Sequence, residues 1–411
     1  MSSGESSSKN KSKNKNKLSI KIQKKKVFRA TEPLIAVFMW GVNYSCNELK
    51  HVNMPELLMP DDFKAYMKVK IDNQHFNKNT LPSHYKVKEY CPLVFKNMRE
   101  RFSISDESYL KSLTNGDVEP IDCSSGKSNA RFYISYDKRY IVKSVTSEDV
   151  EGLHNILTDY HKHIVETKGN TLLPHLLSLF RLTVEDKEIY LLVTRNVFSN
   201  RYKIQIKYDI KGSSVDRAAS LKEKEKDSPT LKDNDLINDR RYINIGGESK
   251  KIFFAKLTRD VDFLCSLKIM DYSLLIGVTD LDKSLDLSTE AKLLEDKLES
   301  DQDNLSPTED TEDTDDDQLN VSVPTPPDSP SSKLAYGLFG LPSQDFYNQK
   351  KGPKKEVYFM ALIDILTHYG LKKRSANVAK TVKYGADQEI STVKPDQYAK
   401  RFLDFVNKII Q

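Results

Sequence analysis

Two aspartates sit in stretches that otherwise read as core: Asp271 in KIMDYSLLIGV (268–278) and Asp364 in VYFMALIDILTHY (357–369). A carboxylate taken out of water without a partner costs on the order of several kcal/mol. Neither acid has an obvious partner close by in sequence. Two answers stand side by side. The acids are paired in salt bridges or used as helix N-caps, or they hold a divalent cation together with bound phosphates. Mg²⁺ takes one or two carboxylates and completes its shell with phosphate oxygens and water. In phosphoryl transfer one Asp can hold the metal while another orients the attacking hydroxyl or accepts its proton.

Other residues fit the phosphate reading. Lys143 lies in YIVKSV, after a hairpin and before a helix, the order in which protein kinases place the strand lysine that meets nucleotide phosphates. The same lysine could sit at the rim of a sheet. The preceding CSSGKSNAR has one glycine, Gly126, and matches neither GxGxxG nor the Walker pattern. KYDIKGSSVDR (207–217) sets Lys207, Lys211 and Arg217 around a Gly-Ser turn that could cradle an anion or remain a solvated basic loop. PTLKDND adds Lys232. In LKKRSANVAKTVK (371–383) the basic residues Lys372, Lys373, Arg374, Lys380 and Lys383 stand with no acid. Leu371, Ser375, Val378, Ala379 and Val382 share the other helical face, the pattern of a helix lying on an anionic membrane. HRDxxxxN and DFG are both missing, so an ordinary protein kinase is disfavoured.

The elements that would position these residues follow from periodicity. FKAYMKVKI (63–71) alternates Ala65, Met67, Val69 and Ile71 with Tyr66, Lys68 and Lys70, a half-buried strand with a basic outer face. ARFYISYDKRYIVKSV predicts a hairpin turning at Asp137-Lys138. The helix after it opens with a capping pattern, Thr146 to Asp149, and repeats Val150, Leu153, Leu157, Tyr160 and Ile164 at helical spacing. Residues 188–198 read as a buried strand, 252–269 and 397–410 as amphipathic helices, and LIAVFMWGV (34–42) as a packed helix too short to span a membrane. Strands come first and helices later, which suggests an α+β enzyme.

Composition sets the frame. The 411 residues carry a net charge of +5, distributed very unevenly. Residues 1–26 hold nine lysines against one glutamate and read as a disordered basic tail. Residues 290–317 hold thirteen acids against two lysines. They belong to an acidic and then Pro-rich insert, 288–335, that contains TPPDSP and interrupts the domain. The remaining chain is basic, which favours an anionic partner: phosphate, membrane surface or nucleic acid. Cys46, Cys91, Cys123 and Cys265 are far apart and form no CxxC, so the expectation is reduced thiols in an intracellular protein.

Several long stretches, in order, closely resemble the phosphatidylinositol phosphate kinases, and within them the type II, or 5-phosphate 4-kinase, branch. They are MPDDFKAYMKVKIDN, KEYCPLVFKNMRERF, ARFYISYDKRYIVKSVTSEDV, NTLLP, TRNVF, KYDIKGSSVDR, PTLKDND, IMDYSLLIG, TPPDSP, KKEVYFMALIDILTHY and AKTVKYGADQEISTVKPDQYAKRFLDF. The resemblance covers nearly all of 27–411 apart from the acidic insert. It implies an α+β lipid kinase fold of two lobes, distantly like protein kinases. The N-lobe, about 27–198, would hold an antiparallel sheet, and the C-lobe would run from about 199 to 411. It further implies that Lys143 meets the nucleotide phosphates and that Thr194, Arg195, Asn196, Val197 and Phe198 line the base, with Lys207 nearby. Asp271 would face the inositol hydroxyl and share the metal site, and Asp364 would be the Mg²⁺ ligand. Lys211, Arg217 and Lys232 would meet phosphates. Residues 371–383, with Lys372 and Lys373, would form the specificity loop, where Ala376 stands at the position that carries Ala in 4-kinases and Glu in 5-kinases. The sequence departs from the family at Asn129, where a second glycine is common, and at DIKGSS in place of DLKGST.

The implied reaction transfers the γ-phosphate of ATP or GTP to the 4-hydroxyl of phosphatidylinositol 5-phosphate. The implied protein is a homodimer through strand 63–71, open to association with other phosphoinositide kinases. It is expected to be cytoplasmic and peripheral on inner membrane surfaces, with room for a nuclear pool. A 5-kinase acting on phosphatidylinositol 4-phosphate and a weakly active lipid-binding scaffold are the alternatives. Nothing beyond the basic charge asks for nucleic acid.

Overall fold

A computed structural model describes residues 30, 32–72, 81–116, 118–121, 130–200, 202–281, 340–342, 346–348, 352–354, 356–370 and 393–411. The basic tail, the 288–335 insert, Asn129 and the 371–383 segment, with Lys372, Lys373 and Ala376, lie outside these residues.

The first described element is a helix, not a strand. α1 (Pro33–Lys50) contains LIAVFMWGV, starts on a proline in its first turn and buries residues around most of its circumference. Helices and strands then interleave, because each new pair of strands needs a helix to cover its apolar face. β1 (Tyr66–Ile71) and β2 (Tyr85–Tyr90) are followed by α2 (Pro92–Arg101), α3 (Asp106–Thr114), β3 (Glu119–Ile121), β4 (Phe132–Ile134) and β5 (Tyr140–Val145). Next come α4 (Ser147–Glu166), β6 (Leu176–Val184) and β7 (Lys187–Arg195). These seven strands form one sheet in the order β1-β2-β6-β7-β5-β4-β3, with every neighbour antiparallel. The predicted capping box is present: Thr146 Oγ1 accepts from the Asp149 amide, and the Asp149 carboxylate accepts from the Thr146 amide. β1 is an edge strand whose Met67, Val69 and Ile71 are half-buried, as its alternation requires. It begins at Tyr66, because residues 61–65 close a turn in which the Ala65 amide bonds the Asp61 carbonyl, and Ala65 is exposed instead of inward-facing.

The second half is built on a five-stranded sheet. β8 (Ile206–Ile210), α5 (Leu221–Lys224), β9 (Thr230–Lys232), α6 (Asp233–Asn238) and α7 (Gly247–Ser266) precede β10 (Ser273–Asp280). After it come β11 (Gly340–Pro342), β12 (Phe346–Asn348), β13 (Gly352–Lys354), β14 (Glu356–Ile363) and α8 (Pro395–Ile409). The sheet order is β11-β14-β10-β8-β9, antiparallel except for the parallel β8–β9 pair, and β12 and β13 form a separate two-stranded ribbon. α7 begins five residues earlier than periodicity predicts, since its first turn, GESKK, is polar and follows Gly246 at φ 78°. One continuous apolar cluster runs through both sheets and their helices. Cys46 and Cys91 are buried in it as free thiols, and burial pushes both up to about 12. Among the described residues no helix is long and apolar enough to cross a membrane.

Candidate active site

The central event is how β10 and β14 end. They pair antiparallel from Asp280 opposite Glu356 to Ser273 opposite Ile363. Pairing resumes beyond a break, with Ile269 opposite His368 and the Met270 amide on the Thr367 carbonyl at 3.0 Å. Three residues on one side of that break face four on the other, which is a β-bulge. Asp271 and Asp364 both lie in the bulge, and both are left-handed, with φ of 67° and 59°. An L-residue there costs on the order of 1 kcal/mol, and Asp tolerates it better than most. The kinks lift both carboxylates out of the core that their sequence neighbours enter.

This corrects the reading of two buried acids in strands. Asp271 precedes β10 instead of lying in it, and its side chain is 25% exposed; that of Asp364 is 50% exposed. Each has a lysine. Lys211 Nζ lies 2.9 Å from Asp271, and Lys143 Nζ lies 2.9 Å from Asp364. Lys143 comes from β5, where Tyr140 and Val142 are buried and Lys143 faces the other way. It extends past the Phe132 ring to reach the second sheet. α8 supports Asp271 from behind. The Tyr272 ring stands edge-on to Tyr398 at 4.8 Å and to Phe402 at 5.2 Å, and the Tyr398 hydroxyl donates to the Tyr272 carbonyl. Burial, with the Asp271 charge adding to it, raises the Tyr398 hydroxyl well above the usual tyrosine range.

The Gly-Ser turn of KYDIKGSS is a cradle already filled. Asp233, fully buried at the start of α6, accepts the amides of Lys211 (3.0 Å), Gly212 (2.7 Å) and Ser213 (3.4 Å) on one oxygen. Its other oxygen takes Arg217 Nε at 2.6 Å. Gly212 has φ 65°, and an added Cβ would lie within 3.2 Å of Phe405 and of the α8 backbone, so only glycine fits. Arg217 is buried and braces Asp233 and Asp209, 3.2 Å away, instead of facing an opening. Burial raises the Asp209 carboxyl, but Arg217, Ser273 and Lys211 outweigh it and hold the group below the usual carboxylate range. Lys232 lies opposite Asp209 in the β8–β9 register, and its amide bonds Asp235.

The connector after β7 is pinned to the β4–β5 turn. The Asn196 amide bonds the Arg139 carbonyl at 2.8 Å, and Asn196 Nδ2 bonds the Lys138 carbonyl at 2.8 Å. Thr194 and Arg195 finish β7, while Asn196, Val197 and Phe198 are half-buried along the connector. Phe198 reaches β10 at Gly277, where an added Cβ would meet its ring at 2.4 Å. Lys207 is the β8 residue opposite Gly277, so of the predicted base-side residues Lys207 stands on the sheet whose β10 and β14 adjoin the two aspartates, while Thr194 and Arg195 belong to the other sheet. Among the described residues no cluster of three or more metal-ligating side chains occurs.

A family model described as Phosphatidylinositol-4-phosphate 5-Kinase matches residues 116–409. The chain belongs to the phosphatidylinositol phosphate kinase family. It is similar over its length to phosphatidylinositol 5-phosphate 4-kinase type-2 alpha of Gallus gallus, 53% identical over 398 residues, which are 95% of this chain and 94% of the relative. The Homo sapiens type-2 alpha protein is 53% identical over 397 residues, 94% of each chain. The Rattus norvegicus type-2 beta protein is 52% identical over 397 residues, 94% of this chain and 92% of the relative. Asp233, Asp209 and Gly277 were not singled out from sequence. Asp233 stands next to Lys232 in KDND, yet no spacing rule ties it to the loop twenty residues earlier.

Proposed function

We propose that this chain transfers the γ-phosphoryl group of ATP or GTP to the 4-hydroxyl of phosphatidylinositol 5-phosphate, giving phosphatidylinositol 4,5-bisphosphate. The observation that carries this is the convergence of Asp271 and Asp364 in one bulge, each with a lysine 2.9 Å away. Relatives named for that activity match along nearly the whole chain.

Each residue has a distinct task. Lys143 binds nucleotide phosphate, and Thr194 to Phe198 with Lys207 enclose the base. Asp271 orients the inositol hydroxyl and takes its proton as that oxygen bonds the γ-phosphorus and the bridge to the nucleoside diphosphate breaks. Lys211 fixes Asp271 and meets phosphate, and Lys232 adds positive charge. Arg217 serves as a brace and not as a phosphate ligand. The half-exposed Asp364 carboxylate, with Asp271 close by, suits a hard cation that prefers few protein oxygens, so Asp364 would hold Mg²⁺. When bound, Mg²⁺ would neutralise charge on the transferring phosphate.

The seven-stranded and five-stranded sheets are the cores of an N-lobe (about 27–198) and a C-lobe (about 199–411) distantly like those of protein kinases. Residues 371–383 select the lipid, with Ala376 favouring the 5-phosphate substrate, and the basic face meets the bilayer. The edge strand β1 joins two copies, and other phosphoinositide kinases are candidate partners. The setting is cytoplasmic, peripheral on inner membranes, with a nuclear pool. The family model's description favours a second reading, a 5-kinase on phosphatidylinositol 4-phosphate. Initial rates on the two lipids decide, each with ATP and GTP: faster turnover of the 5-phosphate lipid, reversed by Ala376→Glu, supports the 4-kinase. Preference for the 4-phosphate lipid would establish the other.

A further inference from the structure

A second carboxylate, like Asp233, is wholly buried and ties a backbone amide to side chains from other elements. Asp260, on α7, is 0% exposed. One oxygen contacts His163 Nε2 at 2.8 Å and Arg259 Nε at 3.3 Å. The other accepts Thr171 Oγ1 at 2.8 Å and the Leu172 amide at 2.6 Å. His163 belongs to α4, which follows β5 in the chain, while Thr171 and Leu172 lie in the NTLLP segment between α4 and β6. Three parts of the chain therefore meet on one anion.

Leu172 is used a second time. Its carbonyl accepts the Leu362 amide at 2.8 Å. Among the described residues, β11 covers the outer edge of β14 from Val357 to Phe359. At Leu362, two residues before Asp364, the Leu172 peptide takes over that edge. A fold that needed only to fill this space could use apolar side chains, since replacing a buried ionic network in this way is often neutral or stabilising. An apolar residue would pack as well but would not fix the direction of the Leu172 peptide.

We propose that Asp260 is a positioning residue for Asp364. It holds Leu172, and Leu172 holds Leu362 at the end of β14, from which Asp364 kinks into the site. This rests on the reading of Asp364 as a reactive-site carboxylate. The linkage itself is measurable without any activity.

The test uses the full-length chain and two readouts. The first is amide exchange of the 357–366 segment against the 273–280 segment of β10. The second is lipid kinase rate per folded protein. Asp260→Ala is expected to speed exchange of 357–366 while 273–280 stays protected. It should lower kcat about tenfold or more, with lipid KM within about twofold, because small misplacements of reacting groups are costly. Asp260→Asn, whose side-chain oxygen can still face the Leu172 amide, should recover most of both. Where Asp260→Ala does not fold, Asp260→Glu is read in the same way, since the acceptor is displaced while its charge remains. Unchanged exchange and kcat in a folded variant would overturn the proposal, as would equal loosening of both segments. An active Asp364→Asn together with a loosened 357–366 segment in Asp260→Ala would instead leave the linkage standing and defeat the assignment of Asp364.

Discussion

Lys143 meets Asp364 at 2.9 Å across 221 positions of chain, from the fifth strand of one sheet to the last strand of the other. A pair this exposed contributes roughly 1 kcal/mol or less to stability. The continuous apolar cluster holds the sheets together without it. On the proposed function both groups act on the nucleotide instead. Lys143→Met should therefore melt within a few degrees of the wild type and lose about a hundredfold or more in kcat/KM. Thermal denaturation and lipid phosphorylation on the same preparation check this. A fully active Lys143→Met would remove the lysine from the mechanism.

Asp233 makes the opposite case, because its partners are buried. Asp233→Ala takes one of the two acids from Arg217 and strands three backbone amides with it, and breaking a buried pair in this way costs about 3–5 kcal/mol. Urea denaturation measures the loss directly. Removing both partners, in Asp233→Ala with Arg217→Met, should cost less than the sum of the two single changes. Simple additivity would show that the two do not act as one unit.

Asp209 gives a pH dependence. Its folded-state value lies below the ordinary 3.8, through Arg217 above all. The stability it adds is complete above that ordinary value and is lost as pH falls through the folded-state one. Asp209→Asn imitates the protonated group. The gap in urea midpoint between wild type and Asp209→Asn should narrow steadily from about pH 5 to about pH 2. Parallel curves across that window would mean that the Asp209 charge is not coupled to folding.

Local order was legible from sequence where a repeat or cap carried it. The Thr146 capping box, the Asp137-Lys138 turn, the alternation of β1 from Tyr66 and the closing helix α8 all emerge from neighbouring residues. Asp271 and Asp364 stood out because a carboxylate is foreign to its apolar neighbours. What stayed hidden depends on tertiary placement. The bulge that makes both acids left-handed is a mismatch between two strands and leaves no trace in either one. The same holds for Asp233, whose three amides lie about twenty residues away, and for Asp260, which reaches Leu172 across 88 positions. Arg217 reads as a phosphate ligand because it is a basic residue beside a Gly-Ser turn, and the two acids it braces, Asp209 and Asp233, are not evident from that spacing.

Gly277 ties the connector after β7, the proposed nucleotide side, to β10, the strand that follows Asp271. It lies within β10, four residues after Ser273, opposite Lys207. Its backbone carries no positive φ, so the constraint is space alone. A Cβ there would stand 2.4 and 2.7 Å from two Phe198 ring carbons and 3.3 Å from Ile204. An aromatic ring cannot bend away as a lysine chain could, so Phe198 must move as a unit. Asn196 restricts that movement, since its side-chain oxygen accepts the Phe198 amide at 3.2 Å and its nitrogen is tied to Lys138. Gly277→Ala should thus cost about 1–3 kcal/mol by overpacking. It should also raise KM for nucleotide while lipid KM holds, because the displaced ring belongs to the connector proposed to face the base. Gly277→Ala with Phe198→Leu should recover stability by returning the space. Equal increases in both KM values would place Phe198 away from the nucleotide.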